Sequence, residues 1–359
     1  MTNLNALEQE HPATDLYTFY VGTYTEATSE GIYKYLLHSD GSISEMGLVA
    51  KTENPSWITL STDKNILLAV NEIDTAHGKG ITESYSVLEN GLQLSGRKSS
   101  GGAHPCFTTV NDTGKVLTAN YTGGNVALHQ IKDDNSLSDI LDLQQHTGSS
   151  IDKRQETPHA HSAWFEPETD TVISLDLGTD QIWFSRIDEK ENKLTPLEQQ
   201  TLNFVPGSGP RHLCFHPNKK WFYVVNELNS TVTLITKTEA GDYLLGESFS
   251  TLPPAFSGEN HPSHIKMTAD GAFLYVANRG YDSIAVFKTS FSDGSLKLLG
   301  QKSTGGKNPR SFSLSPDEKY ILIANQETDN IVILSRNKLN GLLKYKKKFI
   351  VSTPACICF

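Results

Sequence analysis

Residues Gly209–Glu227 read GPRHLCFHPNKKWFYVVNE. The segment is a proline, a short alternating run, a Pro-Asn turn, a second apolar run, and then Asn with one further residue. Two short runs rich in aromatic and β-branched residues around a turn describe a β-hairpin. The same pattern recurs along the chain as PSWITLSTDKNILLAVNE from Pro55, HPCFTTVNDTGKVLTANY around Pro105, HPSHIKMTADGAFLYVANR around Pro262 and NPRSFSLSPDEKYILIANQ around Pro309. A sixth copy, HAHSAWFEPETDTVISLDL, has Ala160 in the proline slot and Asp176 in the asparagine slot. From the first slot to the second the distance is 16 residues in five copies and 15 in the copy at Pro105.

The first slots fall at 55, 105, 160, 210, 262 and 309, so the period is 47 to 55 residues. After each hairpin come a third apolar run, such as SIAVFK, and a fourth behind an Asp-Gly or Asn-Gly turn: Asp40-Gly41, Asn90-Gly91, Asp293-Gly294, Asn340-Gly341. Such turns are strong hairpin signals. Four-stranded units of this length bury little alone and much when packed radially, which predicts an all-β fold, a seven-bladed β-propeller with four-stranded antiparallel blades. The seventh blade is split. PACICF at the C-terminus, from Pro354, matches the start of a unit, and LYTFYVGTYTEATSEGIYKYLL near the N-terminus supplies the strands that follow. The last blade is thus closed by both termini, and no open strand edge remains at the joint. Residues 1–16 read as a polar N-terminal lead-in and 17–359 as a single propeller domain.

Composition narrows the function. With 31 Lys plus Arg against 41 Asp plus Glu, the net charge is −10, which argues against nucleic acid or an anionic membrane as partner. Any anionic ligand must be met by a local cluster. The four cysteines form no Cys-x-x-Cys pair and lie in apolar runs, which predicts buried thiols in a cytoplasmic protein. No window of the sequence is apolar enough to span a bilayer.

In a hairpin, the start of the first strand and the end of the second lie side by side. The residues flanking the two slots therefore converge from all blades on one mouth of the central channel. After the first slot stand Ser56, Cys106, His161, Arg211, Ser263, Arg310 and Ala355; before it stand Asn54, His104, His159, Gly209, His261, Asn308 and Thr353. After the second strand come Asn71-Glu72, Asn120-Tyr121, Asp176-Leu177, Asn226-Glu227, Asn278-Arg279 and Asn325-Gln326. Blades that carry Ser, Cys or Ala at the slots of His161 and Arg211 show that the fold needs no charge there. Partly buried charges persist when paired or used. His161, Arg211, Glu227 and Arg279 are accordingly the candidate catalytic residues, and His104, His159, Arg310, Asn226 and Asp176 the candidate substrate-binding residues. The regular asparagines also suit turns that bond their own backbone. His212 and His264 add imidazoles either at the mouth or, by alternation, at the blade interface. Trp57, Trp164, Trp183 and Trp221 lie within strand runs and are assigned to blade cores.

The segments FYVGTYT, PHAHSAWF, DLGTD, GSGPRHLCFHPN, YVVNELNSTVT, LYVANRGYDSIAVF and NPRSFSLSPD, one after another from about Tyr17 to Phe359, resemble the seven-bladed lactonase family. That family includes the propeller-type 6-phosphogluconolactonases and the fungal carboxymuconate lactonizing enzymes. The resemblance implies a lactone-hydrolysing enzyme of the pentose phosphate pathway whose functional His, two Arg and Glu match His161, Arg211, Arg279 and Glu227. The clustering of these residues at one mouth, with the needs of lactone opening, leads to the expectation of His161 or Glu227 as general base, Arg211 or Arg279 at the oxyanion, and Arg310 with His104 at a phosphate, with no cofactor or metal and a small anionic lactone as partner of a monomer or homodimer. Carboxy-cis,cis-muconate cycloisomerisation is the alternative within the family, and a non-catalytic binding propeller the alternative outside it. A metal-dependent lactonase would need Glu72, Asp176, Asn226 and Glu227 around a cation, and the arginines of the same ring oppose this.

Overall fold

The computed structural model describes residues 16–75 and 78–359. All but the last residue of the lead-in assigned to 1–16 lies outside them. Seven antiparallel sheets of four strands make up the described fold, and a single 3-10 turn at Gln326–Thr328 is its one helical element. The innermost strands are Pro354–Cys358, Trp57–Leu60, Pro105–Val110, Ala160–Phe165, Pro210–Phe215, His261–Met267 and Pro309–Leu314. Each touches the next in that order, and the last touches the first, so the ring is closed. The closing blade pairs Leu16–Thr23 with the C-terminal strand, Val21 opposite Ile357, as the split repeat predicts.

The cores lie between blades. Tyr223, Val225 and Val232 of one sheet pack on Ile265, Leu274, Val276 and Phe287 of the next, and the other clusters are built likewise. A sheet covered on both faces needs continuous apolar strands, which explains fully buried second strands such as Tyr320–Asn325. The outermost strands are half exposed, and Leu343–Ile350, LKYKKKFI, sets lysines along an open edge. The hairpin glycines do more than turn the chain. Gly294 and Gly341, at φ +76° and +74°, lie where a Cβ would overlap Trp221 and Phe273 of the preceding blade. Tyr223 and Tyr275 donate their hydroxyls to the carbonyls of the same two glycines.

A register shift recurs at the start of the innermost strand. Opposite the second strand the pairing jumps from Pro105 to Phe107, Ala160 to Ser162, Pro210 to His212, Pro262 to His264 and Pro309 to Ser311. In the closing blade it passes over Ala355. The skipped residues are the ones that follow the first slot: Cys106, His161, Arg211, Ser263, Arg310 and Ala355. A β-bulge bends the strand and re-aims its unpaired residue. The fold thus presents the same bulged position from blade after blade to the channel.

Below the mouth the channel is filled. Trp57 and Phe107 lie 4.8 Å apart, Phe107 and Trp164 4.7 Å, Trp57 and His212 5.0 Å, and His264 and Phe312 5.4 Å between ring centres. Trp57–Phe107, Phe107–Trp164 and His264–Phe312 join neighbouring blades, whereas Trp57 crosses the ring to His212 and, at 5.3 Å, to His264. His212 and His264 therefore reach the axis beneath the mouth, and Trp57 and Trp164 belong to this plug. The expectation of a blade-core role holds differently for Trp183, which stacks on His146, and Trp221, which meets His216 edge-on.

Candidate functional site

Three of the four candidate catalytic residues meet at one carboxylate. Glu227 is 2 % exposed; Arg211 Nε and Arg279 Nη2 each lie 2.8 Å from its Oε2. A third guanidinium completes the group, for Arg154 Nη2 donates to Glu227 Oε1 at 2.6 Å. Burial alone would raise the carboxyl, but Arg279, Arg211 and Arg154 outweigh it and hold Glu227 well below the usual carboxylate range. Glu227 is therefore an ionised counter-ion. Burial, and then the charge of Arg279, bring Arg211 down to about 9 despite Glu227. Arg211 also donates to the carbonyl of Ser263, the bulge residue of the next blade.

His161 lies against this group, buried, with Nδ1 3.6 Å from Cys106 Sγ, and Cys106 Sγ is 3.4 Å from the His161 carbonyl. Burial and the charge of Arg211 push the imidazole well below its ordinary range, so it is neutral at pH 7. Burial raises the Cys106 thiol, which keeps it protonated and a poor nucleophile. Beyond His161 its ring meets Tyr121 edge-on at 5.4 Å and His212 at 5.3 Å.

Arg310 sits apart from the trio on its own acid. Its Nη2 lies 3.1 Å from Glu72 Oε2, which also accepts the Tyr24 hydroxyl at 2.7 Å, and its guanidinium lies 5.0 Å from the Tyr24 ring centre. Burial would lower Arg310, but Tyr24 and Glu72 raise it further. Its charge is still felt at Arg211, Arg279 and His161. Four guanidiniums thus face two carboxylates, an excess of two positive charges inside an acidic protein. This matches the local cluster that the net charge demands of any anionic ligand.

The remaining candidates are dispersed. His159 stacks on Tyr121 at 4.3 Å and donates Nδ1–H to the Tyr121 carbonyl at 3.0 Å, at the rim. His104 is half-buried, with Nδ1 2.9 Å from the Thr122 hydroxyl. Asp176 and Asn226, named as substrate-binding candidates, have their side-chain bonds within the blade framework. Asn226 donates to Thr231 and Thr233 within its own blade. Asn120, Asn278 and Asn325 likewise clasp the connector that arrives from the previous blade, at the carbonyls of Ser100, Thr251 and Thr304. Asp176 inverts this clasp: Oδ2 accepts His146 Nδ1–H at 2.7 Å, and Oδ1 accepts the backbone N–H of His159 and Thr179. Its oxygens are spent on holding the connector. Among the described residues, no group of three or more His, Cys, Asp and Glu side chains is arranged to hold a metal ion.

Arg154 is the residue the repeat could not locate. It belongs to no slot and comes from the connector at 146–159, which makes the interval from slot 105 to slot 160 the longest in the chain. That extra length is the one signal of it in the sequence. The connector is tied down by Gln155, wholly buried, whose Nε2 donates to the Leu177 carbonyl at 2.7 Å. Asp152 Oδ1 accepts the Arg154 backbone N–H at 2.9 Å, and Arg154 Nη2 also donates to the Tyr121 hydroxyl at 3.1 Å.

The model of the family described as "Lactonase, 7-bladed beta-propeller" matches residues 18–359. A 6-phosphogluconolactonase from Bacillus subtilis is 38% identical over 295 residues, 81% of this chain and 82% of the relative. A 6-phosphogluconolactonase from Formosa agariphila is 31% identical, over 80% of this chain and 84% of its own length. Among solved structures, the periplasmic gluconolactonase of Pseudomonas aeruginosa superposes with a TM-score of 0.91 at 30% identity, covering 96% of this chain and 98% of that one.

Proposed function

The chain belongs to the seven-bladed β-propeller lactonases, and on that premise we propose that it opens 6-phosphoglucono-δ-lactone to 6-phosphogluconate, the hydrolytic step of the pentose phosphate pathway. The observation that carries this reading is the excess of guanidinium over carboxylate beside a neutral, buried imidazole. An acyl-transfer step by water needs a base, a donor for the oxyanion, and a proton for the leaving oxygen.

Of the two candidate bases, Glu227 is ill suited, because three arginines already claim its oxygens. His161 is unprotonated at neutral pH and takes the proton of the attacking water. The new C–O bond pushes the carbonyl electrons onto oxygen, where Arg211 supports the charge. Collapse of the tetrahedral intermediate breaks the ring C–O bond, and the imidazolium returns its proton to the departing ring oxygen. The carboxylic acid so formed ionises, releasing one proton per turnover. Glu227 holds the guanidiniums in place and keeps their mutual repulsion in check. A forked donor suits both a carboxylate and a phosphate. Four free thiols fit a cytoplasmic setting for this chemistry.

The test is proton release from freshly generated 6-phosphoglucono-δ-lactone, measured against its spontaneous rate with and without EDTA. Catalysis that survives the chelator is expected, and His161→Ala and Arg211→Ala should each lower kcat/KM by about 100-fold or more. If both variants stay within about threefold of wild type, a difference of roughly 0.6 kcal/mol, the assignment of roles is wrong.

A further inference from the structure

Two clefts open beside the arginine cluster and share a wall. The larger, about 570 Å³, runs between the connector residues Asp152–Arg154 and the segment Gly258–His261. The smaller, about 330 Å³, is bounded by Arg279 and Asn308. Both include Glu259 and His261, so His261 stands at their junction with Arg154 on one side and Arg279 on the other. The larger cleft is of the size that small-molecule sites have.

The junction is rich in unused donors. Arg154, one-third exposed, spends only Nη2 on Glu227 and Tyr121, which leaves Nε and Nη1 without an acceptor among the described residues. Arg279 commits Nε to the His261 carbonyl at 2.9 Å and Nη2 to Glu227, and its Nη1 is likewise unclaimed. His261, paired with Arg279 across the hairpin, has a buried Nδ1 with no partner. Buried polar atoms are normally satisfied, and this orphan stands where the two clefts meet, on the residue whose carbonyl Arg279 binds. Four acids share these walls, and two of them are engaged at Asn308: Asp282 Oδ1 accepts the Asn308 N–H and Glu327 Oε1 accepts Asn308 Nδ2–H. Asp152 is turned onto its own loop, where it accepts the Arg154 N–H, and Glu259 lines both clefts.

Charge separates this side of the mouth from the other. Arg310 is matched one to one by Glu72, whereas Arg154, Arg211 and Arg279 share the single charge of Glu227. Within the buried ion-pair cluster the guanidinium excess therefore lies on the side of the two clefts, with Asp152, Glu259, Asp282 and Glu327 further out along their walls.

We infer that this junction is the phosphate subsite, in which Arg154, Arg279 and His261 hold the phosphate while the lactone ring lies over His161 and Arg211. The inference rests on the lactonase reading above and moves the phosphate away from the Arg310–His104 position that the sequence suggests. Arg154 and His261 are then specificity residues, which act on the phosphate and not on the acyl carbon.

The experiment compares kcat/KM for 6-phosphoglucono-δ-lactone and for unphosphorylated glucono-δ-lactone in wild type, Arg154→Gln and His261→Asn. The ratio of the two should fall at least tenfold in each variant. Arg154→Lys, which keeps the charge and loses the fork, should fall in between. A proportional loss on both substrates, with the ratio unchanged, overturns the subsite and leaves the lactonase reading intact. Calorimetric titration with 6-phosphogluconate gives a readout free of turnover: its Kd should rise tenfold or more in Arg154→Gln, and an unchanged Kd overturns the proposal. If wild type hydrolyses neither lactone, the lactonase reading fails, and the titration alone decides the subsite.

Discussion

Three imidazoles buried at the axis tie folding stability to pH. His161, His212 and His264 are each 5 % exposed or less. Burial, reinforced by Arg211 at all three and by Lys266 at His264, holds them well below the ordinary histidine range. His212 and His264 also share one Nδ1–Nδ1 hydrogen bond of 2.8 Å, which two protonated rings cannot form. The unfolded chain, with its histidines near pH 6.5, takes up protons that the native state refuses. For groups whose folded value is depressed in this way, stability is complete above the unfolded value and is lost as pH falls below it. Between pH 7.5 and 5.5 each neutral imidazole gives up about 1.4 kcal/mol, and the three together about 4 kcal/mol. Burial lowers His129 and His216 as well, so the figure is a lower bound. Depressed carboxylates such as Glu227 act only at more acid pH and leave this window clear. Equilibrium urea unfolding at pH 7.5, 6.5 and 5.5 measures the slope, which should approach three protons per molecule. His264→Asn should reduce the total change by about one-third, whatever it does to absolute stability. A wild-type change of less than about 1 kcal/mol across the interval would refute the neutral-imidazole account.

Two further outcomes follow from the same contacts. Glu227→Gln leaves three guanidiniums without their counter-ion and should reduce stability by about 3–5 kcal/mol, with partial recovery in added sulfate if the oxyanion replaces the lost charge; urea unfolding with and without sulfate checks this. Asp176→Asn weakens the clasp to His146 and to two backbone N–H groups and should lower stability by about 1.5–3 kcal/mol while KM shifts less than threefold; a large rise in KM would return Asp176 to the list of substrate ligands.

Much of the architecture was legible because a propeller is repetitive. A 15- or 16-residue spacing between Pro and Asn slots survives in every copy, since each hairpin must run from the mouth to the far face and back. The split copy at the termini likewise implied the ring closure that Val21 and Ile357 make. Slot arithmetic also singled out His161, Arg211, Glu227 and Arg279, because hairpin geometry fixes which positions share a mouth.

The sequence by itself determined the blade count, the closure and the ring of residues from which a site could be drawn. Tertiary structure decided which of them meet. Alternation by twos cannot foretell a bulge, and the bulge after the first slot in six of the seven blades is what turns His161, Arg211 and Arg310 to the channel while sending His212 and His264 to the axis below. Nor does a slot reveal its partner: Asp176 looked like a ligand until its oxygens met His146 and two N–H groups of the connector. Arg154 lay outside the repeat altogether. A connector has no period, and only its anchoring by Gln155 and Asp152 brings that guanidinium back over Glu227.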